Sequence, residues 1–370
     1  MTIAERLKEI RRESSSDAPG DPERFRRVAL TNTEMMAQGT AIRETLAANA
    51  EPLAAIARDL AGRRIRRIAM VGCGDSWISG FGVRHAVETL LGAVCEPVEA
   101  FDFATYGTGT VDAGTVVIGL SSSGRTEPVI EGMKASQARG AYAIGLSNTL
   151  GSPLMVEFPG ALHIRATRGG WPTQSSTAAM ALKLALAVEV AKARGQDASA
   201  LTEALAALPD QVDAVARAFY EPARALAERL ARADLVLLAG AGPHYAPAAF
   251  GAAKLKELAP IHAIAFPLEE YHHYRTQKAG DPMFLIAPDA ASHTRALETA
   301  IMSRGCEGVC IALVPEGETE IAGIADEVWH LPAVSDHVAP ILYSVPLHLF
   351  GYHAAVARDA LGLGAPRLGG

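Results

Sequence analysis

Residues 115–126 read Thr115-Val-Val-Ile-Gly-Leu120-Ser121-Ser122-Ser123-Gly124-Arg125-Thr126, and this stretch decides the fold class. Its apolar first half predicts a buried strand, and the polar turn after it leads into helical spacing from Glu127 to Arg139. The same order occurs earlier, where Arg64–Val71 predicts a strand that ends at Gly72-Cys73-Gly74-Asp75-Ser76 and precedes another helix. Alternating strands, polar loops and helices indicate an α/β protein with a parallel, doubly wound sheet.

The pattern repeats in the second half of the chain. The strand at Asp234–Ala239 is followed by Gly240-Ala241-Gly242, which repeats the earlier Gly-x-Gly turn from position 72 to position 240, an offset of 168 residues. Met283–Ala287 repeats Thr115–Gly119 from 115 to 283, at the same offset. A third predicted strand, Tyr142–Leu146, has its counterpart at Val309–Leu313. One such match would carry no weight, but three in the same order predict a duplicated domain.

Composition narrows the class of protein. The chain has 370 residues, of which 49% are hydrophobic and 20% are charged, and this length and composition predict a globular protein of two domains. The net charge of −7, with no basic stripe, argues against nucleic acid as a partner. Four cysteines form no disulfide framework, and Met1–Ile10 predicts a charged amphipathic helix rather than a signal peptide. We therefore expect a cytoplasmic protein that does not span or bind a membrane.

The loop at Ser121–Thr126 is the strongest candidate for a binding site. Small hydroxyl residues and a glycine leave backbone N–H groups and side-chain donors free to surround an anion, and the next helix directs its positive end to the same place. A Ser-rich turn is also a common helix cap, but a cap needs one hydroxyl and this loop offers four. The turn at Gly72–Ser76 is a weaker signal: it lacks the spacing of a dinucleotide-binding turn, and the chain has no P-loop.

The second half lacks most of these hydroxyl groups, because Asp289-Ala290-Ala291-Ser292 occupies the positions equivalent to Ser121–Gly124. An aspartate at this place would repel phosphate. The second half has instead the titratable groups of Lys254-Leu-Lys-Glu257 and of Glu269-Glu270-Tyr271-His272-His273. A carboxylate and an imidazole in one cleft would suit proton transfer between adjacent carbons. The alternative is a solvated helix face and two surface histidines.

Together these segments resemble the double-domain sugar isomerase (SIS) family, over about residues 50–368. Within that family the chain resembles the isomerase portion of glucosamine-6-phosphate synthase, the amino-sugar-phosphate deaminases and the fructosamine-6-phosphate deglycases. The sharpest matches are Gly72–Ser76, Ser121–Thr126, and Lys254–Glu257 with Ile261-His262-Ala263. The resemblance implies two tandem doubly wound, flavodoxin-like parallel-sheet domains with leading N-terminal helices.

The resemblance also implies site residues. Glu257 would be the base that moves the proton between C1 and C2, and Lys254, which matches the family's lysine three residues earlier, would be a second catalytic residue. His273 lies sixteen positions after that glutamate, from 257 to 273, and would assist ring opening from the partner subunit. Thr173–Thr177 would help to close the site. The implied sugar-binding residues are Gly74, Asp75, Ser76, Ser121, Ser122, Ser123, Thr126, Ser175 and Ser176.

Several positions depart from the family pattern. Asp75 replaces a threonine, Arg125 replaces a glutamate, and Pro366–Gly370 lacks the lysine that closes over the sugar in the synthase. Because Met1 is followed by Thr2, without a cysteine nucleophile, we expect no glutamine-dependent synthesis. Arg125 would suit a phosphate or a carboxylate, or it is a surface residue. Asp75 would favour a hydroxyl or ammonium group on the substrate.

The sequence predicts three segments: residues 1–49 as an arm with one or two leading helices, 50–205 as a phosphate-binding domain and 206–370 as the domain with Glu257 and His273. We predict a homodimer with shared sites that isomerises a sugar phosphate between aldose and ketose forms, alone or coupled to deamination or deglycation. No metal or organic cofactor is expected, since an enediol route needs none and no metal-ligand spacing occurs. The alternative is a non-catalytic sensor of sugar phosphates.

Overall fold

The computed structural model describes residues 2–6, 19–274 and 276–364. The predicted helix at residues 1–10 is described only at residues 2–6, the polar segment at 11–24 only at residues 19–24, and Pro366–Gly370 lie outside the described residues. Between Pro22 and the first sheet there are three helices, rather than the one or two that were predicted: α1 (Pro22–Met36), α2 (Gln38–Ala48) and α3 (Ala50–Ala61). Asp21 begins α1, because its carboxylate accepts a hydrogen bond from the Glu23 N–H and Pro22 occupies the first helical position.

The first lobe contains a five-stranded parallel sheet in the order β2-β1-β3-β4-β5. Its strands and main helices are β1 (Arg67–Gly72), α4 (Asp75–Leu91), β2 (Val94–Glu99), β3 (Thr115–Leu120), α5 (Glu127–Ala138), β4 (Tyr142–Ser147) and β5 (Gly160–His163). Every residue of β3 and β4 is buried, as expected for central strands of a sheet covered on both faces. Two helices, α6 (Gln174–Ala193) and α7 (Ser199–Arg229), connect this lobe to the next.

The second lobe repeats this arrangement, with the strand order β7-β6-β8-β9-β10 corresponding to that of the first sheet. It consists of β6 (Leu235–Gly240), α8 (Tyr245–Leu258), β7 (His262–Pro267), α9 (Leu268–Tyr274), β8 (Pro282–Ile286), α10 (His293–Gly305), β9 (Val309–Pro315), β10 (Glu327–Leu331) and α11 (Ala339–Ala360). All of its strand pairs are parallel. The predicted fold class, two tandem doubly wound α/β domains with leading helices, is confirmed.

The two lobes share one hydrophobic core. Its largest cluster includes Ile68 and Met70 of β1 together with Val236 and Leu238 of β6. Helix α7 packs against α11 of the second lobe and against α2, so the predicted boundary between residues 205 and 206 falls within a helix that contacts both halves. That division of the chain stays a prediction. Among the described residues, no helix is long and apolar enough to cross a membrane.

Candidate active site

Lys254 lies at the centre of a polar cluster where the lobes meet. Its side chain on α8 is fully buried, and its ammonium group donates to Asp75 Oδ2 at 2.9 Å and to the Pro172 carbonyl oxygen at 2.7 Å. It also contacts the Glu257 carboxylate one turn further along the same helix. Burial disfavours the charge on Lys254, but Asp75 and Glu257 more than offset that effect and raise its pKa. Lys254 is therefore charged, and its ammonium group forms ion pairs with two carboxylates.

Glu257 is the most exposed member of this cluster, with 33% of its side chain accessible. Burial raises the pKa of Glu257, and the nearby Asp75 carboxylate raises it further, against the opposing charges of Lys254 and Arg27. A carboxyl group whose pKa is raised towards neutrality both accepts and returns a proton more readily than an ordinary glutamate. Glu257 thus has the environment of a general base that remains open to solvent.

Asp75 enters the cluster from the first lobe because the turn after β1 is tight. Gly74 has a positive φ of 54°, and α4 begins at the next residue. The Asp75 carboxylate accepts a hydrogen bond from Ser176 Oγ at 3.2 Å, so the start of α6 contacts the same cluster. Ser76, half-buried in the first turn of α4, lies beside this contact in sequence. Gly74, Asp75, Ser76 and Ser176 are therefore near one another, and their role in binding a sugar stays a prediction.

The loop after β3 brings its hydroxyl groups together. Ser121 Oγ lies 2.8 Å from Thr126 Oγ1 and 3.3 Å from Ser123 Oγ, and the Gly124 N–H donates to Ser121 Oγ at 3.1 Å. Gly124 has a positive φ of 64°, and a Cβ atom there would lie 1.9 Å from Ser152 Oγ, so glycine is required. Thr126 occupies the N-cap position of α5 without a capping hydrogen bond, which argues against the helix-cap interpretation of its hydroxyl.

This loop is connected to the Lys254 cluster through the loop after β4. The Ser122 carbonyl oxygen accepts hydrogen bonds from Ser147 Oγ and Thr149 Oγ1. Asn148 Nδ2, between them, donates to Ser175 Oγ at 3.1 Å, and Ser175 precedes the Ser176 that contacts Asp75. The predicted binding residues of the first lobe and the Lys254–Glu257 pair of the second thus belong to one connected site. Arg125, in contrast, is exposed.

The structure does not bring the two histidines to this site within one chain. His272 Nε2 lies 2.8 Å from Thr299 Oγ1 on α10, and burial lowers the pKa of His272. His273 is 64% exposed, and its Nε2 lies 3.5 Å from Glu269 Oε1 on its own helix. Within the described residues, His273 has no hydrogen bond or ion pair with Lys254 or Glu257. Its role in ring opening from a partner subunit stays a prediction.

Sequence reasoning missed the contribution of the leading helices. Glu34 of α1 is buried and accepts hydrogen bonds from Thr167 Oγ1 at 2.8 Å, the Gly169 N–H at 2.7 Å and the Gly170 N–H at 3.2 Å. These contacts fix the segment that ends at Pro172, whose carbonyl oxygen accepts from Lys254. The burial of Glu34 and its contacts with residues more than 130 positions away are visible only in the folded chain, so the sequence carried no signal for this anchor.

Trp171 and Arg27 lie in the same region. The Trp171 N–H donates to Thr31 Oγ1 at 2.9 Å, and the Arg27 guanidinium lies 4.1 Å from the centre of the indole ring. Arg27 is also one of the charges that oppose the raised pKa of Glu257. Helix α1 therefore adds a cation near the carboxyl group of the site.

A buried histidine, His348 of α11, lies near enough to Lys254 for the lysine charge to affect its pKa. His348 Nδ1 lies 3.1 Å from Gln38 Oε1, which also accepts from Thr177 Oγ1 at 3.3 Å. Burial, with the added effect of the Lys254 charge, lowers the pKa of His348 to about 3. The imidazole is therefore neutral and structural. Among the described residues, no group of three or more His, Cys, Asp or Glu side chains is arranged to hold a metal ion.

The sequence matches a known family model. The model of the SIS domain matches residues 63–192 and 229–358, one match to each lobe. The chain is also 32% identical, over 305 residues, to the glutamine–fructose-6-phosphate aminotransferase [isomerizing] of Thermus thermophilus. That alignment covers 80% of this chain and 50% of the relative, so the chain spans about half the length of the curated relatives it matches.

Solved structures share the fold. The C-terminal domain of glucosamine-fructose-6-phosphate aminotransferase from Francisella tularensis has a TM-score of 0.79 at 22% identity, covering 89% of this chain and 96% of that one. Tagatose-6-phosphate ketose/aldose isomerase from Escherichia coli has a TM-score of 0.74 at 16% identity, and the match covers 88% of this chain and 92% of that one. At these identities the matches show a common fold.

Proposed function

The chain belongs to the SIS domain family, and on that premise we propose that it is an enzyme that isomerises a phosphorylated sugar by moving a proton between adjacent carbons. The substrate class is a ketose or aldose 6-phosphate or its amino derivative. The names of the relative from Thermus thermophilus and of the isomerase from Escherichia coli, which refer to fructose 6-phosphate and tagatose 6-phosphate, support this class.

The phosphate group is assigned to the loop after β3. The Ser121 hydroxyl lies within hydrogen-bond distance of the Ser123 and Thr126 hydroxyl groups, just before α5. These hydroxyl groups can exchange their mutual hydrogen bonds for bonds to phosphate oxygens, and the N-terminal end of the helix favours the negative charge. The first lobe thereby fixes the end of the sugar that does not react.

The proton transfer is assigned to Glu257. The carboxylate takes the proton from the carbon next to the carbonyl group, and the electrons move onto the carbonyl oxygen to give an enediolate. The hydroxyl proton then passes between the two sugar oxygens, and the same carboxyl group returns its proton to the neighbouring carbon. In an amino sugar the same proton route would give an imine, which water hydrolyses to a carbonyl group with release of ammonia or an amine. His273 of a partner subunit is assigned to ring opening, on the family resemblance.

Lys254 has a different role in this proposal. Because its side chain is fully buried, it holds Asp75 and Glu257 in place rather than contacting the sugar. Asp75, which is 10% exposed, offers its carboxylate to a hydroxyl or ammonium group of the substrate. Lys254 is thus a positioning residue, and Glu257 is the group that reacts.

The observation that carries the proposal is the position of Glu257, a solvent-accessible carboxylate of raised pKa beside a buried lysine. The test is to incubate the protein with ketose, aldose and amino-sugar 6-phosphates in deuterium oxide and to follow carbon-bound hydrogen by nuclear magnetic resonance. We expect deuterium to enter C1 or C2 of at least one substrate. Binding without exchange for every member of the panel would contradict the enzyme and favour the sensor.

A further inference from the structure

The second lobe has its own cavity at the carboxyl ends of its strands. It has a volume of about 380 Å³ and is lined by the loops after β6 and β8 and by residues of two further segments. Gly242 and Asp289, in its wall, lie 168 positions after Gly74 and Ser121, counted from 74 to 242 and from 121 to 289. The cavity is therefore the duplicate of the place where the first lobe carries its hydroxyl loop.

The inner wall of this cavity is a buried pair of titratable side chains. His244 Nε2 lies 2.8 Å from Asp289 Oδ2, a distance that suits an ion pair although the direction does not suit a hydrogen bond. Burial opposes the charge of Asp289, but His244 and the Ser292 N–H lower the pKa of Asp289 to about 2, so it is ionised. His244 is fully buried, and neither its Nδ1 nor the Ser292 Oγ has a hydrogen-bond partner. The wall thus holds an ionised carboxylate paired with a buried imidazole, together with polar atoms that have no hydrogen-bond partner.

The rim of the cavity is supplied by both lobes. His85 of α4 is 51% exposed. It lies close to Gly242 of the second lobe, whose φ is 51°: a Cβ atom added at Gly242 would lie 3.7 Å from His85 Nε2. Asp336, in the segment before α11, is exposed, and within the described residues its carboxylate has no hydrogen bond or ion pair. The lining contains neither lysine nor arginine. The other titratable groups of the lining are the imidazoles of His85 and His244, so the Asp289 and Asp336 carboxylates favour a cation over a phosphate group.

We propose that this cavity binds a small molecule that carries a primary ammonium group and no phosphate, with the Asp289 and Asp336 carboxylates as its charge partners. An ammonium group offers three donors, and each carboxylate can accept more hydrogen bonds than it receives within the chain. A volume of about 380 Å³ falls within the range of pockets that hold small ligands such as a hexosamine. The two lobes would then bind ligands of opposite charge at equivalent places. The inference does not depend on the proposed isomerase activity.

The test compares D-glucosamine with D-glucose, which have the same ring and differ in the ammonium group. Calorimetry on the whole chain at neutral pH is expected to show binding of glucosamine and at least about tenfold weaker binding of glucose. Asp336→Asn, at an exposed position where folding is not at risk, is expected to weaken glucosamine binding by about tenfold. Asp289→Asn is expected to weaken it further.

The location is checked with a variant of the other lobe. Ser121→Ala combined with Ser123→Ala removes hydroxyl groups of the first-lobe loop and is expected to leave glucosamine binding unchanged. The proposal is overturned if glucosamine fails to bind at millimolar concentration or binds no better than glucose. It is also overturned if the first-lobe variant abolishes binding while Asp336→Asn does not.

Discussion

Lys254 Nζ lies 2.9 Å from Asp75 Oδ2, and this contact joins the second lobe to the first. Neither side chain is freely accessible, since Lys254 is fully buried and Asp75 is 10% exposed. Removing one partner of such a pair leaves the other charge buried without compensation, which costs more than the pair itself contributes. The stability of the whole chain and the geometry of the site therefore depend on the same ion pair.

We expect Lys254→Met to lower the free energy of unfolding by about 3–5 kcal/mol, because Asp75 and Glu257 would lose their shared cation. Urea denaturation followed by circular dichroism measures the change. Lys256→Met, at an exposed position on the same helix, is the matched control and should change stability by less than about 0.5 kcal/mol. Equal effects of the two substitutions would show that the ion pair is unimportant for stability.

The pH dependence of activity should report the environment of Glu257. Burial, followed by the charge of Asp75, raises the pKa of Glu257, so a base at this position loses activity as the pH falls through that raised pKa. Asp75→Asn removes a negative charge and should move the acidic limb of the kcat/KM profile to lower pH. Arg27→Gln removes a positive charge and should move it to higher pH.

Arg26→Gln, on the same helix and exposed, is the control for Arg27→Gln and should leave the acidic limb where it is. If Asp75→Asn and Arg27→Gln shifted the limb in the same direction, Glu257 would not be the group that titrates.

Substitution of the proposed base should separate chemistry from binding. Glu257→Gln keeps the shape of the side chain but removes the basic carboxylate, so kcat should fall by about 10²- to 10⁴-fold while Kd changes little. Solvent deuterium should enter the substrate carbon with the unsubstituted protein and hardly at all with the variant. Glu203→Gln, at an exposed position of α7, should retain full exchange. If deuterium exchange persisted in the Glu257→Gln variant, another residue would have to carry out the proton transfer.

Loss of hydroxyl groups from the first-lobe loop should weaken binding of the phosphate. Ser121→Ala with Ser123→Ala removes two donors to a charged group, each contributing about 1.5–3 kcal/mol, so the Kd for a sugar phosphate should rise steeply. Calorimetry with fructose 6-phosphate measures the loss, and unphosphorylated fructose serves as the control ligand. An unchanged affinity for the phosphate ester would place the phosphate elsewhere.

The shared site predicted for a homodimer can be tested by mixing two inactive variants. If each site combines Glu257 of one subunit with His273 of the other, a dimer of Glu257→Gln and His273→Ala subunits contains one intact site. Random reassociation would then restore about a quarter of the original activity, because half of the dimers are mixed. Light scattering checks first that the protein is a dimer. No recovery from a confirmed mixed dimer would place His273 and Glu257 of the same subunit in one site.

Much of the fold could be predicted because the central strands are long, apolar and followed by glycine turns. The predicted Thr115–Leu120 strand has the observed bounds, and the duplicated strand Leu235–Gly240 begins 168 residues after Arg67, from 67 to 235. The edge strand Val94–Glu99 was missed. It contains Pro97, and only one of its six residues is buried, so it lacks the continuous apolar run of a central strand.

The candidate site was only partly predictable. Contiguous hydroxyl groups marked Ser121–Thr126, and helical spacing placed Lys254 and Glu257 one turn apart. The contact of the Pro172 carbonyl oxygen with Lys254 could not be predicted in this way, since every residue carries a backbone carbonyl group. The contact of Glu34 with Gly169 joins positions 135 residues apart, and no local pattern encodes it. The site therefore depends on long-range contacts that only the folded chain shows.

The three hydrogen bonds that Glu34 accepts also bear on how this chain could be shortened for study. The family match begins at residue 63, and a truncated protein designed from that match alone would omit helix α1. Such a protein would retain both sheets but lose the carboxylate that holds the 167–170 segment beside Pro172 and Lys254. A fragment that keeps these contacts and the complete helix α1 must therefore begin no later than Asp21, more than forty residues before the point at which family similarity starts, from 21 to 63.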